Sequence, residues 1–129
     1  MSDAESDLAE NAKPTLHKTN RLLNEFRKLD GEMPIQQAQT FIYCALREDD
    51  VVNIKDVADG LGISQASASR NVNAFMKINR YRKAGHDLLQ THEDPMHRSR
   101  KIITLTAKGK LVKQSIMEIM QLNDYRTAR

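Results

Sequence analysis

"NIKDVADGLGISQASASRNVNAFMKI", residues Asn53 to Ile78, contains two short helix-forming runs separated by glycine and serine. Asn53 is placed to cap the first run, because its side-chain oxygen can accept from an unpaired first-turn N–H. Ile54, Val57, Ala58 and Leu61 follow at helical spacing, and Gly60 and Gly62 bracket the end. Ser64 is a second cap, opening a helix expected over 64–78. On that helix Ala68, Val72 and Phe75 point one way, while Ala66, Ser69, Arg70, Asn73 and Lys77 point the other. Ser and Asn are mediocre helix formers, so a face rich in them asks for a reason beyond solvation.

Two short helices joined by a tight turn, over about 53–78, form a helix-turn-helix signature. A helix enters a major groove only where its leading face is slim, as Ala66, Ser67 and Ser69 make it. Gln65, Arg70 and Asn73 can then reach base edges, Arg pairing with guanine and Gln or Asn with adenine. Ser64 and the helix start suit a phosphate. An ordinary solvated helix face is the alternative.

Downstream, "HEDPMHRSRKIITLTAKGK" (His92–Lys110) joins a turn-forming tip to an alternating, β-branched strand. Asp87–His92 supplies a partner strand, giving a hairpin over about 87–106 with its tip at Glu93–Arg100. Arg98, Arg100 and Lys101 put charge near that tip, where it can meet phosphates or the neighbouring minor groove. A helix-turn-helix followed by a basic hairpin is a winged helix. His92 and His97, with His86, raise the question of a metal. No Cys companion or tight helical His pair accompanies them, which favours phosphate contact or solvation, His97 being the nearest to the tip's arginines.

Around this centre the chain reads as mainly α with a small β-hairpin, a winged helix-turn-helix (α+β) flanked by helices from both termini. "MSDAESDLAENA" carries four acids and no basic residue, and residues 1–13 are expected to form an acidic, flexible arm before a single winged-helix domain over 14–129. Leu16, Leu22, Leu23, Phe26 and Leu29 give a first helix over 15–29, ended by "DGEMP". Ile35, Ala38, Ile42, Ala45 and Leu46 lie on one stripe of a second, with Phe41 and Tyr43 beside it. Leu111, Val112, Ile116, Ile119, Met120 and Leu122 mark a last helix over about 107–125.

At 129 residues the chain is a prior for one domain with a true core. A net charge of +3 and a pI near 9.1 are mildly basic, but the distribution is uneven. Arg70 to Lys110 holds ten Lys/Arg against three Asp/Glu, and the remainder ten against fourteen. Such polarisation suggests a face built for a polyanion. Single Cys44, in "FIYCAL", excludes an internal disulfide and reads as a small core residue. No membrane-length apolar run and no signal-peptide pattern is present, so a cytoplasmic location is expected. No nucleophile–base arrangement, phosphate-cradling glycine loop or apolar carboxylate cluster suggests an enzyme, and no cofactor or metal is expected.

From about Pro34 to Lys110 the sequence resembles the multiple-antibiotic-resistance regulator (MarR) family of winged-helix repressors. The matching pieces are "IQQAQTFIYCAL", "IKDVADGLGISQASASRNVNAF" and "EDPMHRSRKIITLTAKGK". The resemblance implies that Gln65–Asn73 reads a major groove and that Arg98 or Arg100 enters a minor groove. It also implies a homodimer, here through helices 15–29 and 107–125, and leaves a small-molecule effector open. Three departures stand out. "MHRSRK" lacks the acid that usually precedes the wing Arg, and the C-terminal region is short. "MKINRYRKAGHDL" (Met76–Leu88) is longer than the usual link, and Lys77, Arg80, Arg82 and Lys83 within it could extend a phosphate contact. The reading that follows is a sequence-specific, double-stranded-DNA-binding regulator, most simply a dimeric repressor. The alternatives are a winged-helix protein of low base specificity, for replication or packaging, or one docking an acidic protein.

Overall fold

The computed structural model describes residues 3–121, and among these five helices and one two-stranded antiparallel sheet follow one another. Helix α1 spans Asp3–Arg27. It begins twelve residues before the expected start at 15, through the segment read as an arm. Good helix formers (Ala4, Glu5, Leu8, Ala9, Ala12) fill that extension, and Asp3 and Glu5 stand at the positive end of its dipole. Pro14 interrupts the backbone ladder without ending the helix. Phe26 is buried on it, and the helix ends at Arg27, two residues before the expected 29, with Leu29 and Asp30 donating to the Phe26 carbonyl as the chain turns towards Pro34.

Helix α2 (Ile35–Leu46) buries Thr40, Phe41, Cys44 and Ala45. The expected stripe is therefore rotated: Ile35, Ile42 and Leu46 are exposed. The reason is Phe41, which is fully enclosed and gains more from burial than an aliphatic neighbour. Its ring meets Phe26 edge-on at 6.1 Å between centroids and Phe75 at 5.7 Å. The core thus runs as an aromatic spine from α1 through α2 to the end of the helix-turn-helix.

Helix α3 (Ile54–Leu61) starts on a complete capping box. Asn53 Oδ1 accepts from the Asp56 N–H at 2.9 Å, and Asp56 Oδ2 accepts from the Asn53 N–H at 2.9 Å. It ends at Gly62, whose φ of 66° is left-handed and suits glycine. Helix α4 (Gln65–Ala74) follows after Ser64, and it buries Ala68 and Val72, as the spacing predicts. It stops at Ala74 rather than 78. The Phe75 and Met76 N–H groups already reach back three residues, and the Phe75 carbonyl accepts from both Leu88 and Leu89. The returning chain takes the bonds that another turn of helix would have used.

Strands β1 (Leu89–Glu93) and β2 (Lys101–Leu105) pair antiparallel, from Leu89 opposite Leu105 to Glu93 opposite Lys101. The wing therefore stands where the sequence places it, with its strand shifted from 87–92 to 89–93 because Asp87 has a left-handed φ of 58°. Ile103 and Leu105 fill the core, while the intervening side chains face outward. The Ile103 N–H donates to the Val52 carbonyl at 2.7 Å, tying the wing to the segment just ahead of α3. Helix α5 (Ala107–Gln121) packs against α1 and buries Ile119. Leu122 and the rest of the expected helix to 125 lie outside the described residues. Together these elements are a winged helix with its two terminal helices side by side.

Candidate nucleic-acid interface

The exposed face of α4 carries Gln65, Ala66, Ser69 and Arg70, with Ser67 half-buried. Its start is fixed by hydroxyls. Ser64 Oγ accepts from the Ser67 N–H at 3.0 Å, and the Ser67 hydroxyl lies 3.0 Å from that of Ser64. Arg70 Nη2 donates to Ser67 Oγ at 3.1 Å, so the guanidinium leans back along the helix. Ser64 thus serves as the expected cap, and Ser67 positions the arginine. The helix is also pinned from behind, where Asn71 Nδ2 donates to Gln36 Oε1 of α2 at 3.1 Å.

Asn73 differs from its expected place on the open face. It is half-buried, its Nδ2 points to Met76 Sδ at 3.8 Å, and its Oδ1 is buried without a hydrogen-bond partner. Lys77 stands beyond the helix and is exposed. Neither continues the slim face of α4 as a regular helix would have it.

The wing tip is closed by Asp94. Its Oδ1 accepts from the Met96 N–H at 2.9 Å, its carbonyl accepts from the His97 N–H, and its own N–H donates to the Arg100 carbonyl at 3.0 Å. His97, Arg98 and Arg100 are exposed on this loop, and Lys101 is exposed at the start of β2. His92 is engaged with Thr104 Oγ1 at 3.0 Å on the strands, away from the tip.

Between wing and helix-turn-helix lies a groove of about 380 Å³. Asn53 and Lys55 of the α3 start, Gln65 of α4, and Arg100 and Lys101 of the wing border it. Of the two wing arginines it is Arg100 that faces this groove. Lys55 is a groove residue that the sequence pattern does not single out. In the free chain it pairs with Asp59 at 2.7 Å, and that hydrogen bond raises its pKa, so the side chain stays charged. Its one sequence signal is a basic residue in the first turn of the leading helix, which helical spacing alone does not distinguish. Arg80, Arg82 and Lys83 stand apart from the groove, all exposed on a separate loop after α4.

Among the described residues, no group of three or more His, Cys, Asp or Glu is arranged to hold a metal ion, and no helix is long and apolar enough to cross a membrane. Cys44 is buried on the inner side of α2, away from the groove, and desolvation pushes its thiol up to about 12 against the opposing pull of Arg47.

No family model and no curated protein matches this sequence. Solved structures do match its shape. A mutant of Staphylococcus aureus MepR bound to an oligodeoxyribonucleotide superposes with a TM-score of 0.67 at 17% identity, over 96% of this chain and 88% of that one. RV1404 from Mycobacterium tuberculosis gives 0.65 at 15% identity, over 99% and 80%. The S. aureus MepR–DNA complex gives 0.61 at 19% identity, over 98% and 92%. MepR is a transcription regulator of the S. aureus multidrug efflux pump MepA. At these identities the likeness establishes the fold, including the flanking helices that enclose the winged helix at both ends.

Proposed function

We propose that this chain is a sequence-specific, double-stranded-DNA-binding transcription regulator, acting as a dimeric repressor. The observation that carries the reading is the juxtaposition of α4's exposed polar face with the basic groove under the wing. Gln65 borders both, so a duplex seated with α4 in its major groove would run a phosphate strand between Lys55, Arg100 and Lys101. Arg70, held by Ser67, is the base-reading residue, with Gln65 beside it and Ala66 and Ser69 allowing close approach. Asn53 and Ser64 act by capping and by offering helix starts to phosphate. Arg98 and His97 extend the wing's contact along the backbone or into the minor groove. That MepR is solved with DNA on the same fold agrees with this docking.

The test is fluorescence anisotropy on a site enriched from random duplex, repeated over a salt series. Arg70→Ala should weaken binding to that site by about 1–3 kcal/mol and relax preference at one base position. Arg100→Ala and Lys55→Ala should weaken all duplexes alike and each flatten the salt dependence by about one phosphate's worth. A wild-type protein that binds every duplex equally would instead be a low-specificity DNA-binding factor. One that binds none would direct attention to an acidic protein partner.

A further inference from the structure

The link between α4 and the wing is a built element. Its backbone forms a small hairpin, with Ile78 bridged to Ala84 and the Asn79 N–H donating to the Lys83 carbonyl at 2.8 Å. The Asn79 side chain closes the turn, Oδ1 accepting from the Tyr81 N–H at 2.9 Å and the Lys83 N–H at 3.1 Å. Arg82 at the tip has a left-handed φ of 58°. The base is bonded to the end of α4: Gly85 N–H to the Lys77 carbonyl at 3.0 Å and His86 N–H to the Ala74 carbonyl at 3.2 Å. Gly85 packs so closely on the Met76 carbonyl that a Cβ would collide with it.

This hairpin carries Arg80, Tyr81, Arg82 and Lys83, all exposed, and no acid occurs from Gly60 to His86. Among the described residues none of these three cations has an ion-pair partner. The hairpin also leans on the reading helix. Arg70 and Asn73 of α4 face Arg80 and Tyr81 across a cleft of about 140 Å³. The Arg80 guanidinium lies 5.1 Å from the Tyr81 ring centre, which leaves both at the cleft's edge. Whatever α4 docks against must meet this second prong.

Resting on the DNA-binding reading, we propose that the 77–85 hairpin is a second clamp, which grips the sugar–phosphate backbone at the C-terminal end of α4, opposite the wing. The duplex would then be held at both ends of the reading helix, by the wing groove at its start and by Arg80, Arg82 and Lys83 at its finish. The partner's chemistry follows from the charge. Three uncompensated cations on a turn that is already ordered suit a strand of regularly spaced phosphates, and Tyr81 beside Arg80 can cover a sugar. An acidic protein would satisfy the cations equally, but it would have no reason to share the cleft with Arg70.

The test uses the full chain with Arg80→Gln, Arg82→Asn and Lys83→Gln combined, Asn being chosen because it tolerates the left-handed tip. Binding to the selected site is followed against salt, and hydroxyl-radical footprints are compared with the wild type. The slope of log K against log salt should become shallower by roughly 0.9 for each phosphate no longer neutralised. Protection should vanish from the backbone beside α4's C-terminal end, while the base preference set by Arg70 stays. An unchanged slope and footprint overturn the clamp, even where Arg70→Ala still relaxes preference at its one base position. If the wild type binds no duplex, the DNA-binding reading fails first and the clamp falls with it. Should the triple variant melt at a lower temperature, Lys83→Gln alone, outside the turn's strained position, is expected to flatten the slope by one phosphate's share and decides the matter.

Discussion

Single side chains show how far burial decides chemistry here. Cys44 stands in an apolar helix face, and enclosure raises its thiol to about 12, so almost no thiolate exists near neutral pH. Iodoacetamide should therefore label it at the rate of unfolding, and urea should accelerate the reaction; fast labelling of the native chain would contradict the packing. His86 is the opposite kind of case. Its ring lies against Phe75 at 5.8 Å, and burial lowers its pKa from 6.5, with Asp30 opposing and Lys108 adding to the shift. The folded chain then binds this proton less readily than the unfolded one. Stability is kept above pH 6.5 and declines as the pH falls from there through the lowered value. His86→Gln should lose less stability than the wild type when urea midpoints at neutral pH and at about pH 5 are compared. Cys44 could be placed in the sequence by its apolar neighbours, whereas His86, read only in the company of His92 and His97 as a solvated or phosphate-contacting group, lies against Phe75 instead. Lys55 and Asn73 could not be placed either. One gains its place from a wing far downstream in the chain, and the other turns towards Met76 because the helix stops beneath it.

At the scale of elements, local chemistry was legible and long-range competition was not. Asn53, Ser64 and Gly62 announce the ends of α3 and the start of α4, and each does so through bonds made within four residues. Asn53→Ala should accordingly cost about 1 kcal/mol, read as a shifted denaturation midpoint, while Asn53→Asp keeps the acceptor and most of the stability. If the two variants unfold alike, the capping box contributes nothing. The wing was equally legible, since "EDP" fixes its turn through Asp94 and alternation fixes which side of β2 is buried. What the pattern missed was settled elsewhere in space. The end of α4 depends on Leu88 and Leu89 returning to the Phe75 carbonyl, and the rotation of α2 depends on where Phe26 and Phe75 leave room for Phe41. The first turns of α1 were not legible because they bury nothing within the chain, and periodicity detects only faces that something covers.

The whole molecule leaves an apolar surface on its terminal helices. Leu8, Leu16 and Leu23 lie along one side of α1 and are exposed, Leu16 at 67%. Leu111, Met117 and Met120 of α5 are exposed as well, while α1 and α5 are already packed on each other. A long helix gains little from propensity alone, so α1's extension beyond the core calls for a partner. The proposed dimer supplies it: a second copy laid against α1 and α5 would cover these side chains and set two copies of α4 at a fixed spacing on the duplex. Leu16→Glu and Leu23→Glu should leave the fold intact, because neither side chain belongs to the buried core. In sedimentation they should shift the chain towards a monomer. On a palindromic site they should lower affinity steeply while leaving half-site binding as it was, since only the linkage between the two readers is removed. Variants that remain dimeric would place the contact on another face, and the half-site spacing expected from α1 and α5 would have to be abandoned with it.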